Sequence, residues 1–202
     1  MKLIALDGPS ACGKTSVLDW IEAALTRTGM SVSRVGEMNP VRDLFSKLRT
    51  GNIGRLSLPP LTESLFWTMN QAYRAETEFT KDHDILLVDR YIYTPIVYQY
   101  LRLKEKGVEF QEVIEYIAKP FGVQLPAPHL SFVLTAPIET LEERFKQREG
   151  RNMNDAEKDM TKKAINLYHR LKDHFPNYYL IDASGPTQKT CRKIEKIVRT
   201  KL

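Results

Sequence analysis

The chain has 202 residues, 42% of them hydrophobic, enough for one substantial core and most simply a single α/β domain over 1–202. Thirty lysines and arginines against 25 acids leave a net charge of +5, and there are only two cysteines. Such a sequence argues against a membrane-spanning chain and favours a reducing compartment, and a start without a leader-like segment predicts the cytoplasm.

Lys2-Leu3-Ile4-Ala5-Leu6-Asp7 is a short, mostly apolar run of the kind that makes a buried strand. Gly8-Pro9-Ser10-Ala11-Cys12-Gly13-Lys14-Thr15 follows and fits GxxxxGK[ST] at every fixed position. Val17, Leu18, Ile21 and Leu25 then repeat at helical spacing as far as Gly29. In a strand, glycine loop and helix N-terminus taken in that order, successive backbone N–H groups converge on an anion at the positive end of the helix dipole. Gly8, Ser10, Ala11, Cys12, Gly13, Lys14, Thr15 and Ser16 are therefore the candidate ATP polyphosphate site. Lys14 is expected to reach the β- and γ-phosphates and the Thr15 hydroxyl to ligate Mg²⁺. A disulfide at Cys12 would hinder that ligand, which favours a reducing compartment, and neither Cys12 nor Cys191 has metal-ligand spacing.

Ser31 to Val35 reads as a second strand ending at Gly36, with Glu37, Asn39 and Arg42 beyond its C-terminal end, where open α/β sheets bind ligands. Gly51 to Pro60 has loop composition. A helical pattern from about Thr62 to Thr80 carries Leu65, Phe66, Met69, Tyr73 and Phe79, mostly expected in the core. Phe66, Asn70 and Tyr73 fall near one face, with Arg74 one turn beyond Asn70; a helix lining an acceptor pocket has the same pattern. Asp84 to Asp89 is a nearly continuous apolar run ending in a carboxylate, as a central parallel strand should, and places Asp89 beside the Mg²⁺ site. Helical stretches from Pro95 and over Phe110 to Ala118 follow, and Leu130 to Leu134 and Tyr178 to Asp182 read as the fourth and fifth strands.

Between those two strands, Arg144 and Arg148 lie one turn apart and Gly150 precedes Arg151 as a possible hinge, a cluster suited to charge on a transferring phosphoryl group. Near the C-terminus, Lys189, Arg192, Lys193, Lys196, Arg199 and Lys201 form the solvated face of a last helix with Ile194, Ile197 and Val198 turned inward, so nucleic acid is not expected as a partner. Alternating strands and helices imply a parallel sheet with right-handed crossovers and helices on both faces.

Taken together, the phosphate loop, Leu65-Phe66, Asp89-Arg90-Tyr91, Tyr98-Gln99, the arginines from Glu143 to Arg151 and Ile181-Asp182-Ala183-Ser184 resemble the thymidylate kinase family of nucleoside monophosphate kinases. The resemblance implies a three-layer P-loop kinase fold with a five-stranded parallel sheet, an arginine-bearing lid over about 144–155, Mg²⁺·ATP as donor and a nucleotide acceptor, most simply dTMP. It also implies roles. Arg90 grips the acceptor phosphate with help from Arg42, Phe66 stacks on the base, and Ser10, Asn70, Thr94 and Gln99 face the acceptor. Asp182, Ala183 and Ser184 pack near the donor adenine, and two copies pair through an exposed apolar helix face. The chain departs from the family pattern at Ser10, where an Asp is usual, and at Met69-Asn70, where an Asp-Arg pair is usual. Arg74 is the candidate replacement for that arginine. A hydroxyl acceptor with Glu37 as general base is a second reading, and a nucleotide-dependent switch or nucleic-acid-stimulated ATPase is a third.

Overall fold

The computed structural model describes residues 1–36, 39–50, 58–79 and 82–202, with the backbone alone at 49 and 50. Five strands, β1 (Lys2–Asp7), β2 (Val32–Val35), β3 (Ile85–Asp89), β4 (Leu130–Thr135) and β5 (Tyr178–Asp182), form one parallel sheet in the order β2-β3-β1-β4-β5. The helices are α1 (Lys14–Thr26), α2 (Pro40–Thr50), α3 (Pro60–Thr77), α4 (Tyr93–Leu103), α5 (Phe110–Ala118), α6 (Ile138–Glu149), α7 (Asp155–Leu171) and α8 (Thr187–Lys201).

The strand period of two divides the core between the two faces of the sheet. Ile4, Leu6, Ile85, Leu87, Phe132, Leu134 and Ile181 pack under α1, α6 and α8, where Val17, Ile21, Leu141, Phe145, Ile194 and Val198 meet them. Leu3, Ala5, Leu86, Val88, Val133 and Tyr178 pack under α4, α5 and α7, against Ile96, Val97, Val113, Ile117, Leu167 and Tyr168. Because both faces are covered, the central strands are apolar at almost every position.

Two helices fall where the sequence pattern gave none. Both are rich in charge, and α7 turns inward a stripe of Thr161, Ala164, Leu167, Tyr168 and Leu171. Its start is nevertheless marked: Asn154 accepts from the Glu157 N–H and Glu157 reaches back to the Asn154 N–H, a capping box. Much of the expected lid segment is thus helical, with Arg144 and Arg148 on the last turns of α6 and only 150–154 between α6 and α7.

The α3 helix is polar inside and apolar outside. Glu63, Ser64, Thr68, Asn70, Gln71 and Arg74 are buried, whereas Leu61, Leu65 and Met69 are 58%, 49% and 43% exposed, the reverse of the expected core placement of Leu65 and Met69. Arg74 is fully buried and holds the strand ends together, donating to the carbonyls of Val35 (3.3 Å), Asp89 (3.2 Å) and Arg90 (2.6 Å). Its guanidinium, the candidate acceptor-binding group, is thus engaged by the backbone at the strand ends. Replacing Arg74 with Met should strand these carbonyls and lower unfolding free energy by about 2 kcal/mol or more, read from a urea titration.

Candidate active site

The loop between β1 and α1 has the backbone that its glycines allow. Gly8 has φ +131°, and a Cβ there would meet the Leu134 carbonyl oxygen at 2.3 Å, so no side chain fits. Gly13 caps α1 in a left-handed conformation. A cavity of about 390 Å³ opens over the loop, walled by Ala11, Gly13, Lys14, Thr15 and Ser16, by Asp89 and Arg90 from the end of β3, and by Arg144 and Arg148 from α6. The sequence motif, the strand-end carboxylate and two of the three lid arginines thus meet in one place. Lys14 donates to the carbonyls of Pro9 (2.8 Å) and Gly8 (3.1 Å); burial draws its pKa down, countered in part by the Asp89 and Asp7 carboxylates. Cys12 is buried and turns its thiol to the Pro9 carbonyl. The buried Asp89 Oδ1 has no hydrogen-bond partner among the described residues.

Asp7, which sequence reasoning took only as the end of a strand, fixes the other side of the site. Fully buried, it accepts from the Tyr91 N–H (3.0 Å), the Thr94 N–H (2.9 Å) and the Thr94 hydroxyl (2.6 Å). Burial pushes its pKa up and these donors pull it back. Arg90 sits between β3 and α4 with φ +56°, its N–H bonded to the Leu6 carbonyl and its guanidinium to the Gly8 carbonyl at 3.1 Å.

A second cavity, of about 170 Å³, shares Arg90 as a wall. Ser10, Thr94 and Gln99 line it as the sequence suggested, together with Glu63, Trp67, Pro95, Tyr98 and Arg102. Trp67 and Tyr98 are its aromatic walls. Phe66, expected to stack on the base, does not line this cavity and packs on Phe45 with ring centroids 5.4 Å apart, as Trp67 does at 6.1 Å. Arg42 lies over the Trp67 ring at 4.5 Å, and Asn70 is buried, accepting from Asn39 at 2.7 Å; neither lines the cavity. Glu37 lies outside the described residues.

Between the cavities, Arg148 donates to the Ser10 hydroxyl at 2.8 Å. Arg151 is instead turned to Glu157, at 2.7 and 2.8 Å, and lies over the Phe145 ring, so it is not part of the phosphate cavity. The pair holds the Glu157 carboxyl down at about 2. Arg144 donates to the carbonyls of Ala183, Ser184 and Gly185, tying the segment after β5 to the phosphate cavity. Asp182 accepts from the Ser184 N–H, and both border a separate cavity of about 590 Å³ beside α7.

The sequence profile described as "Thymidylate kinase" matches residues 6–194. The chain belongs to the thymidylate kinase family. A thymidylate kinase of Thermoanaerobacter pseudethanolicus is 28% identical over all of this chain and 98% of its own length, and a probable thymidylate kinase of Saccharolobus solfataricus is 26% identical over all of this chain and 98% of its own. A solved thymidylate kinase from Candida albicans shares the fold, with a TM-score of 0.73 at 17% identity, covering 98% of this chain and 91% of that one. This family member is a nucleoside monophosphate kinase, a transferase, and the hydroxyl-acceptor reading with Glu37 as base is not favoured.

Glu63 and Trp67 carried no signal because the aromatic and apolar pattern of α3 marks other faces of the helix, and Arg102, one turn beyond Gln99 on α4, reads as an ordinary surface charge. Glu63 and Trp67, four apart, mark the inner face. Because Arg144 braces 183–185, Arg144→Ala should raise the KM for ATP about tenfold, a loss of about 1.4 kcal/mol, while the acceptor KM changes little; steady-state kinetics with each substrate varied in turn checks both.

Proposed function

We propose that the protein transfers the γ-phosphoryl group of Mg²⁺·ATP to dTMP, giving ADP and dTDP. One observation carries this reading: Arg90 is a wall of both cavities, so an acceptor phosphate held by its guanidinium faces the phosphate loop. A phosphate oxygen of the acceptor attacks the γ-phosphorus, and the bond to the β–γ bridging oxygen breaks, leaving ADP. The attacking oxygen is already anionic and needs no general base. Lys14, Arg144 and Arg148 supply positive charge around the transferring group, and Arg90 aligns the attacker.

The donor set fits Mg²⁺, which takes few protein ligands beside substrate phosphates. Thr15 and Asp89 share the phosphate cavity, and the Asp89 Oδ1, without a hydrogen-bond partner among the described residues, supports a carboxylate reserved for a cation or its water. Bound there, the ion would neutralise charge on the phosphates.

Among the described residues, no helix is long and apolar enough to cross a membrane. Both cysteines are free and buried, which supports the reducing cytoplasm as its place. Leu61, Leu65 and Met69 form an exposed stripe on α3 with Leu44 of α2 also exposed, and this supports pairing of two copies through that face.

Incubation with Mg²⁺·ATP and a panel of nucleoside monophosphates, read by mass, should give dTDP; products from nucleosides alone would refute the reading. Lys14→Ala should lower kcat by about 10²- to 10³-fold with the far-ultraviolet spectrum unchanged. Arg90→Ala should weaken dTMP more than ATP, and equal weakening would remove Arg90 from the acceptor site. Light scattering should give twice the chain mass, and Leu65→Glu should halve it.

A further inference from the structure

The cavity beside α7 takes no part in the transfer, yet it shares a structural segment with the site that does. At about 590 Å³ it has room for a small ligand, and Pro137, Ile138 and Ile165 give it apolar walls. Lys162, Asn166 and His169 stand at i, i+4 and i+7 on α7, so one side of the cavity carries exposed polar groups over about 10 Å of helix axis. Asp182 and Ser184 line it from the segment after β5. The carbonyls of Ala183, Ser184 and Gly185 in that segment hold the Arg144 guanidinium, and Arg144 is a wall of the phosphate cavity and not of this one. Side chains alternate here: Ile181 and Ala183 are buried in the core under α1 and α8, and Asp182 between them turns to the α7 side. The donor adenine belongs on the Arg144 side, because its phosphates lie in the cavity that Arg144 walls.

We propose that the cavity beside α7 is a second nucleotide site, and that filling it tightens the binding of ATP. Apolar walls with a few polar groups at separate points suit a ligand with a flat ring and a charged end. The Lys162 ammonium is a donor only and meets a phosphate; the Asp182 carboxylate is an acceptor only and meets an N–H of the base; the Asn166 amide offers both. The turn at 182–184 is closed by the hydrogen bond from the Ser184 N–H to Asp182 at 2.8 Å. A ligand bonded to Asp182 and packed on Ser184 clamps that turn a second time and fixes the carbonyls that Arg144 grips. Arg144 is then in place before ATP arrives, and less ordering remains to be done on binding. By linkage, ATP tightens the second nucleotide by the same factor.

The four deoxynucleoside triphosphates serve as probes, each added at saturating dTMP with γ-labelled ATP varied. At least one should lower the KM for ATP about fivefold with kcat unchanged. Competition for the donor site has the opposite sign, so a KM that rises or stays constant with every probe overturns the proposal. Occupancy is read separately from the ring carbon–proton signal of His169, one of four histidines in the chain, which should shift whether or not dTMP proves to be the acceptor. No shift with any probe also overturns the proposal. Asn166→Trp fills the cavity from an exposed position. It should leave the KM for ATP alone at its wild-type value and abolish both the shift and the activation; activation that persists in this variant refutes the site. Arg144→Ala should keep the shift and lose the activation, and activation that survives there refutes the coupling through 182–185.

Discussion

The site is organised by one buried carboxylate. Asp7 ends β1 where the phosphate loop begins, and its three donors come from the first residues of the β3–α4 segment, which carries Arg90 and the acceptor wall. Two strands fixed by parallel pairing set the loop and Arg90 side by side. The Asp7 contacts set the angle at which α4 leaves the sheet. Removing a carboxylate from water is costly, and three short hydrogen bonds, two of them from otherwise orphaned N–H groups near a helix start, offset that cost. The distance between the donor and acceptor cavities is thereby a property of the core and not of a surface loop.

The inside-out α3 helix follows from the same demand. A helix over a ligand cavity must present polar groups inward, and its apolar groups then have only the outer face. Glu63, Asn70 and Arg74 do three separate jobs along that inner face: one borders the acceptor cavity, one is bonded to the segment after β2, and one brackets the strand ends. The exposed leucines are the counterpart of that arrangement.

How much of this was legible in the sequence varied with the kind of signal. The five strands and the phosphate loop were plain, because buried parallel strands are unbroken apolar runs and the loop motif has fixed positions with fixed physical reasons. Asp89 followed from its place at a strand end, and Arg90 from the resemblance of Asp89-Arg90-Tyr91 to the family's motif. The α2 and α7 helices were hidden by their charge, although the Asn154 and Glu157 box marked one start. Within α3 the errors were angular. Phe66 and Trp67 both meet Phe45, but they differ by about 100° around the axis, and of the two it is Trp67 that lines the cavity. Arg74 lay on the right face, but a sequence does not give depth, and one turn further along the axis the face meets backbone and not ligand.

That depth bears on how such a chain can diverge. Arg90 holds a left-handed backbone that a residue with a β-carbon adopts at a cost, and the hydrogen bond from Arg74 to its carbonyl is one of the contacts that keep it there. The two arginines are therefore linked in their tolerance of change: a lineage that alters position 74 loosens position 90, although position 74 lines neither cavity. Drift along the long helix is limited on its inner face, where the buried polar side chains lie. At this one inner position it is coupled to Arg90, the wall that the two cavities share.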